Sequence, residues 1–185
     1  MAEVKGVLVT GMRTFLLDRY GKGVVDQAMT TLDDKDAKLI KRTFLDGSFY
    51  PYDTMAALAE LTHALTPIRK TTGHELGTFL AEYVFKGPYK PLLAKEVVPM
   101  VEKIGWIKDF FYRDANDVES KMTGARSCVV VYRYAPGIKP TRGLCRSLSA
   151  FWGRALELAG GSKVTATHPA CIAEGGDRCD FVYSW

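Results

Sequence analysis

Apolar side chains recur at helical spacing through residues 1–113. The pattern predicts successive helices over 4–20, 24–32, 34–42, 53–65, 72–85 and 91–111. Thr72 and Glu75 form a capping box, which marks the start of the fifth helix. Pro99 and Gly105 predict kinks in the sixth. Between the third and fourth helices, turn residues and aromatics over 47–51 predict a loop that docks on the core.

After residue 114 the pattern changes to the alternation typical of strands. Strands are predicted over 118–123, 127–134, 162–172 and 178–185, with a helix over 141–159. The order β-β-α-β-β predicts an α+β fold, in which an N-terminal helical part (1–113) precedes a four-stranded, mainly antiparallel sheet with one helix packed against it (114–185). We expect residues 1–185 to form a single domain.

Composition and charge limit the classes of function. The chain is 47% apolar and 25% charged, as in an ordinary globular protein, and no apolar run reaches the roughly 20 residues of a bilayer span. The first residues lack the layout of a secretory signal. The net charge is +4, and the Lys and Arg residues are scattered among acidic ones. We therefore expect a cytoplasmic protein that does not bind nucleic acid and has no membrane span.

Three of the four cysteines and one of the three histidines lie within residues 145–179. These residues are Cys145, His168, Cys171 and Cys179. Thiolate sulfur and imidazole nitrogen suit tetrahedral zinc, and four protein ligands leave no position for a substrate water. The residues therefore predict a structural zinc site. Two alternatives stay open: a disulfide between Cys171 and Cys179, and simple burial of small apolar thiols.

The turn between Cys171 and Cys179 decides whether their side chains share a face of the sheet. A three-residue loop over 174–176 pairs the two cysteines directly, whereas a two-residue loop puts them on opposite faces. His168 has the wrong parity for an unbroken strand. Pro169 is a natural position for a bulge, which would let His168 turn towards the cysteines.

The segment from His168 to Phe181 reads His-Pro-Ala-Cys-Ile-Ala-Glu-Gly-Gly-Asp-Arg-Cys-Asp-Phe. It resembles the C-terminal signature of the vinyl-reductase-type domain, in the superfamily shared by heme–nitric-oxide-binding domains and the Golgi-tethering TRAPP subunits. In that family a Cys, an acidic residue and two further Cys hold zinc. The resemblance implies this role for Cys145, Cys171 and Cys179. His168 stands where the acidic ligand would be, and imidazole is itself a zinc ligand.

The whole length of the chain also resembles a paralogous family of unknown function that is expanded in myxobacteria. The resemblance includes the Phe-Tyr-Pro segment at 49–51 and the Tyr-Ser-Trp ending at 183–185. Together the two resemblances imply a fold like that of TRAPP subunits and heme–nitric-oxide-binding domains.

The sequence argues against heme and against catalysis. A heme sensor of this superfamily needs an axial histidine on a helix ahead of the sheet, and residues 91–111 contain none. His63 and His74 lie on earlier predicted helices, and residues 132–136 lack the Ser and Arg of the family's Tyr-x-Ser-x-Arg propionate clamp. Neither a glycine-rich nucleotide loop nor a Gly-x-Ser-x-Gly motif is found. We therefore expect no enzymatic activity.

Aromatic residues on elements that should face one another predict a ligand pocket. The candidate lining residues are Phe79, Tyr83, Trp106, Phe110, Tyr132, Tyr134 and Trp152. Phenol-sensing regulators that carry the resembling domain bind a small aromatic ligand between sheet and helices. We therefore expect a sensor-like, dimeric domain that binds a small hydrophobic or aromatic ligand and signals through a protein partner. The alternatives are a TRAPP-like dimeric scaffold and, for the aromatics, simple core packing.

Overall fold

A computed structural model of the protein describes residues 1–65, 72–138 and 140–185, except for the side chains of His63 and Ala64. The α-helices in this part are α1 (Gly6–Tyr20), α2 (Lys22–Met29), α3 (Asp34–Ile40), α4 (Tyr52–Ala64), α5 (Thr72–Phe85), α6 (Val97–Phe111) and α7 (Arg142–Leu158). The strands are β1 (Glu3–Lys5), β2 (Phe49–Pro51), β3 (Tyr112–Arg113), β4 (Asn116–Gly124), β5 (Ser127–Tyr134), β6 (Thr165–Ala170) and β7 (Cys179–Ser184). The predicted α+β fold is confirmed.

The larger sheet has the strand order β4-β5-β7-β6, and every neighbouring pair is antiparallel. One face is buried because alternate side chains of its central strands are apolar or aromatic: Val130, Tyr132, Phe181 and Tyr183 have no exposed surface. This face packs against α7. The predicted β-β-α-β-β order with a four-stranded antiparallel sheet is therefore correct, and the predicted bounds of β5 agree with the structure.

Helix α7 covers the sheet because one of its sides is continuously apolar. Its buried side includes Leu144, Leu148, Phe151 and Trp152. The Thr141 hydroxyl accepts a hydrogen bond from the backbone N–H of Leu144 at 3.2 Å and so caps the first turn. The helix ends before Gly160, which takes a positive φ of 100°.

A second, smaller sheet with the order β2-β1-β3 differs from the sequence prediction. Its middle strand, β1, pairs antiparallel with both neighbours. Residues 47–51 were predicted as a loop and Val4 as the first residue of a helix, so both predictions were wrong here. Strands of two or three residues are too short to show alternation, and their partners lie far away in the chain.

The sixth predicted helix starts later than expected. Lys90–Leu92 form a 3₁₀ turn, and the chain is extended at Leu93 and again at Glu96 before α6 begins at Val97. Pro99 consequently lies in the first turn of α6, where its missing N–H removes no intrahelical bond. The predicted long, kinked helix is in fact a short turn, an extended link and a separate helix.

Helices α5 and α7 pack backbone against backbone at two glycines of α5. A Cβ atom on Gly77 would lie 2.0 Å from the carbonyl oxygen of Ser147, and one on Gly73 would lie 2.8 Å from that of Gly143. Real Cβ contacts are never so short, so these positions require glycine. This close approach fixes α7 between α5 and the sheet.

The buried side chains form one continuous cluster that joins the helical part to the larger sheet. The largest of them are Trp152, Tyr132, Tyr183, Phe85, Phe111 and Phe181. None of the described helices combines the length and the apolar content that crossing a bilayer requires.

Candidate functional site

Three of the predicted metal ligands meet where the first turn of α7 contacts the β6–β7 connection. The sulfur atoms of Cys145, Cys171 and Cys179 all lie within 4.8 Å of one another, and all three residues are buried. The Cys145 and Cys179 sulfurs are 3.6 Å apart. Two thiolates on one tetrahedral zinc ion are about 3.8 Å apart, since Zn–S bonds are about 2.3 Å long. The three thiols therefore have the spacing of ligands to one metal ion.

The strand register places Cys171 opposite Cys179. Ala170 pairs with Asp180, so the residues next to them in the chain, Cys171 and Cys179, face each other. This is the pairing that the three-residue alternative gives, although the connection itself differs from that loop. The register shifts between Thr167 and Ala170, which puts a bulge at the position of Pro169.

The connection from Cys171 to Cys179 is longer than a tight hairpin loop. Residues 172–174 form a 3₁₀ turn, and Gly175 follows in the left-handed conformation with φ 94°. The backbone N–H of Gly176 donates to the Cys171 carbonyl at 2.9 Å. The N–H of Ile172 donates to the Cys179 sulfur at 3.4 Å. The turn therefore fixes the backbone of Cys171 and donates a backbone N–H to the sulfur of Cys179.

His168 lies beside the three thiols rather than among them. Its ring packs against Phe181, with the ring centroids 4.4 Å apart. Its Nε2 atom is buried and has no hydrogen-bond partner among the described residues. The imidazole is nevertheless one of the groups that lower the pKa of Cys179. The structure thus brings three predicted ligands together and places the fourth next to them.

The three thiols differ in acidity because they share hydrogen bonds unequally. The pKa of Cys179 is lowered, chiefly by the hydrogen bond from Cys145 and further by the Ile172 N–H and His168. The pKa of Cys145 is raised, first because its proton is shared with Cys179 and then because it is buried. Burial also raises the pKa of Cys171. Cys179 is therefore the thiol that ionises first and can attract a cation.

The fourth cysteine has no part in this cluster. Cys128 lies on β5 with no exposed surface, and burial raises its pKa to about 11. It behaves as a small apolar core residue.

An internal cavity lies where the helical part meets α7 and the larger sheet. Its volume is about 30 Å³. None of the described residues that line it is histidine or cysteine: they are Leu8, Met12, Met55, Leu80, Phe111, Tyr112, Tyr132, Leu144, Ser147, Leu148, Phe151 and Trp152. Only Tyr132 and Trp152 belong to the pocket predicted from the sequence. Much of the rest comes from the apolar stripe of α7, which the prediction from aromatic residues did not include.

The other predicted pocket residues lie elsewhere. Phe79 and Tyr83 stack on each other with ring centroids 5.9 Å apart, half-buried on α5. Phe110 packs over the Lys5 ammonium, 3.5 Å from its ring centroid. Tyr134 is half-buried, and its buried hydroxyl has no hydrogen-bond partner among the described residues.

Trp106 is 58% exposed and therefore lines no interior pocket. Helix α6 buries its other side through Met100, Ile104, Ile107 and Phe111, and this spacing turns Trp106 towards solvent.

Two pairs of side chains in the cavity wall are joined by hydrogen bonds. The indole N–H of Trp152 donates to the Tyr132 hydroxyl at 2.5 Å. The Tyr112 hydroxyl donates to the sulfur of Met55 at 3.7 Å. Burial raises the pKa of both tyrosines, so both stay protonated. The wall is therefore uncharged and mainly apolar.

Comparison with known proteins identifies the fold. No family model matches the sequence. No curated protein matches it either. The structure is similar to an H-NOX protein from S. oneidensis in its Fe(II)NO ligation state, with a TM-score of 0.72, 13% identity and coverage of 97% of this chain and 98% of that chain. It is also similar to the Fe(II) unliganded H-NOX protein from K. algicida, with a TM-score of 0.67, 17% identity and coverage of 97% and 95%.

These similarities confirm the predicted heme–nitric-oxide-binding-like fold. They also raise the question of heme, because the similar proteins carry an iron centre. The closer resemblances, to the vinyl-reductase-type domain and to the myxobacterial family, stay predictions.

Proposed function

We propose that this chain is a non-enzymatic, sensor-like domain that binds a small hydrophobic or aromatic molecule and uses the H-NOX fold without heme. A structural zinc ion, held by Cys145, Cys171 and Cys179 with His168 beside them, is the second part of the proposal. The observation that carries it is the uncharged, mainly apolar cavity at the junction of the helices, α7 and the sheet. The space between packed helices is a common position for small-molecule sites, and this cavity must expand to hold a ligand.

The cavity does not fit heme. Its volume of about 30 Å³ is far below the roughly 300 Å³ at which ligand pockets begin. An axial ligand is also missing from the described lining residues, since none is histidine or cysteine and the tyrosines are held protonated. Helix α6 contains no histidine. We therefore propose no heme-based step.

A small apolar ligand fits the internal cavity better than heme does, provided that side chains of the cavity wall move. A benzene-sized guest needs a cavity of roughly 150 Å³, so some side chains must give way. Met12 and Met55 have unbranched, adaptable side chains. Leu144, Leu148 and Phe151 on α7 are 6–9% exposed and separate the cavity from solvent. We propose that entry occurs through this part of α7.

Zinc at the three thiols would have a structural role. When bound, it supplies a cross-link between the start of α7 and the β6–β7 connection. Cys179, with its low pKa, provides the first thiolate, and the buried position of all three sulfurs keeps water away. The imidazole of His168 is the nearest candidate for a fourth ligand.

A TRAPP-like scaffold without a ligand is the second candidate function, and the small volume of the cavity favours it. In either case we propose a cytoplasmic homodimer that acts through a protein partner. A ligand screen separates the two functions. Phenol, indole and benzene are tested for their effect on the melting temperature, since a ligand at 100 times its Kd stabilises by about 2.7 kcal/mol.

The control for this screen is a pair of variants on α7. Leu148→Phe adds volume to the cavity wall and should abolish the ligand-induced shift. Leu158→Phe adds the same volume on the same helix, away from the cavity, and should retain it. A protein whose melting temperature responds to none of these compounds would be a scaffold. A Soret band after addition of hemin, lost in Leu148→Phe, would contradict the heme-free proposal.

A further inference from the structure

A second cavity, open to solvent, lies on the outer side of α7 between α5 and β6. Its volume is about 470 Å³, within the usual range of small-molecule sites. The small residues Ala150 and Gly153 of α7 form its floor. We call it the outer groove.

We infer that the outer groove binds a small molecule that carries a carboxylate or phosphate group and a short apolar body. Four nitrogen-bearing side chains line it: His74, Arg146, Arg154 and His168. Arg154 already pairs with Glu82 and Glu157, which leaves the other three for a ligand. Guanidinium and imidazole N–H groups are strong donors to oxyanions. The outer groove is separate from the internal cavity, which lies on the opposite side of α7. Binding in one does not require binding in the other.

Two of these groups have no partner within the described residues. Arg146 is exposed and makes no ion pair there. The Nε2 atom of His168 is buried, yet it makes no hydrogen bond within the same residues. Buried polar atoms are nearly always hydrogen-bonded in proteins, so this nitrogen needs a partner that the described residues do not supply. In this inference the partner is the groove ligand, and His168 is then not the fourth ligand of zinc.

The carboxylates around the outer groove are already neutralised. Arg154 donates to Glu82 and, at 2.7 Å, to Glu157, which closes the far end of the groove. Glu75, near His74 on α5, pairs with Arg19 at 3.0 Å. The near end of the groove therefore carries the positive charge of Arg146, unpaired among the described residues, and the imidazoles of His74 and His168 line the groove with it.

The dimensions of the groove limit the size of the ligand. From Arg146 to Glu157 the floor helix rises roughly 16 Å, at about 1.5 Å per residue. Strand β6 returns along α7, so Val164 and Ala166 provide an apolar wall beside the middle and far end. An oxyanion at Arg146 would thus leave room for an apolar body of several carbon atoms.

The test uses the full chain, as purified, and three probes in isothermal titration calorimetry. Hexanoate should bind saturably. Hexanol, which has the apolar body alone, and inorganic phosphate, which has the oxyanion alone, should each bind at least tenfold more weakly. The variant Arg146→Gln should lose at least tenfold in hexanoate affinity, the loss expected for one charge-assisted hydrogen bond.

The matched control is Arg142→Gln, one turn earlier on α7, where the arginine pairs with Glu174 and does not line the outer groove. It should bind hexanoate as the unmodified protein does. Metal content and melting temperature are measured for both variants, so that a lost binding site is distinguished from a lost zinc site. Equal affinity for hexanoate and hexanol, or equal losses in the two variants, would overturn the inference.

Discussion

The sulfur atoms of Cys145 and Cys179 lie 3.6 Å apart, although one residue belongs to the first turn of α7 and the other begins β7. The contact joins the helix to the strand that it covers. With Cys171 it forms the one group of buried thiols that could hold a metal ion in the described part of the chain.

Replacement of Cys179 by serine should remove this metal site. The protein as purified is expected to contain about one zinc ion per chain, and Cys179→Ser to contain almost none, because a hydroxyl is a poor zinc ligand. The melting temperature should fall by several degrees, since about 1 kcal/mol shifts it by roughly 2–4 °C for domains of 150–250 residues. Elemental analysis and calorimetry measure the two effects.

The control for this change is Cys128→Ser, which alters an equally buried thiol outside the cluster. It should retain the zinc while losing some stability. Should both variants keep their zinc, or should the unmodified protein contain none, the three thiols would be a feature of core packing.

Replacement of Gly77 by alanine should destabilise the fold through a collision. The new Cβ would lie 2.0 Å from the Ser147 carbonyl, which forces α5 and α7 apart. Overpacking of this kind costs about 1–3 kcal/mol in the free energy of unfolding. Gly23→Ala is the matched control: it lies in α2 with open space around its Cα, and it should stabilise by up to about 1 kcal/mol. Urea unfolding that ranks the two variants equally would contradict the close packing.

Removal of the Tyr132 hydroxyl should leave a buried donor without an acceptor. In Tyr132→Phe the indole N–H of Trp152 loses its hydrogen bond, at a cost of about 1–3 kcal/mol. A double-mutant cycle with Trp152→Phe isolates the pair from the general effect of altering the core. A coupling energy within about 0.5 kcal/mol of zero would show that the hydrogen bond contributes nothing.

The ion pair between Arg154 and Glu82 should make stability depend on pH. The hydrogen bonds from Arg154, and then from Lys86, hold the pKa of Glu82 below its ordinary value of 4.5. The contribution is therefore complete above that value and is lost as the pH falls through the lower, folded-state pKa. At neutral pH, Glu82→Gln should cost about 0.5–1 kcal/mol, because the pair is partly exposed.

At acid pH, below the folded-state pKa, this difference should disappear. The control is Glu102→Gln, which alters an exposed residue of α6 that makes no ion pair with the described residues. Urea unfolding at both pH values measures the difference. A cost in Glu82→Gln that is the same at neutral and acid pH would mean that charge is not its cause.

The elements that were predicted correctly are those whose apolar pattern and end residues lie within one short stretch of the sequence. Strand β5 and helix α7 each carry a long periodic pattern, and Thr141 and Gly160 mark the ends of the helix. The pairing of Cys171 with Cys179 was one of two alternatives that the sequence left open, because the sequence did not fix the length of the loop between them. The meeting of Cys145 with the other two thiols depended on a family resemblance, because nothing local fixes the rotation of α7 against the sheet.

The parts that could not be predicted depend on contacts between distant residues. Strands β1, β2 and β3 have no pattern of their own. The cavity is lined by Leu80, Phe151 and other residues that resemble any core side chain in the sequence. Trp106 was assigned to a pocket by its chemistry, whereas its position on α6 turns it outwards. Residue type predicted three thiols that do meet in the structure. It predicted only two of the described residues that line the internal cavity.

The placement of β1 between β2 and β3 has a consequence for how the chain acquires its structure. Glu3 pairs with Pro51 on one side and with Arg113 on the other. During synthesis, β1 therefore cannot pair with its second neighbour until the chain has been made as far as Arg113. Long-range pairing of this kind slows folding. We expect the smaller sheet to close late, after the helices between its strands have formed.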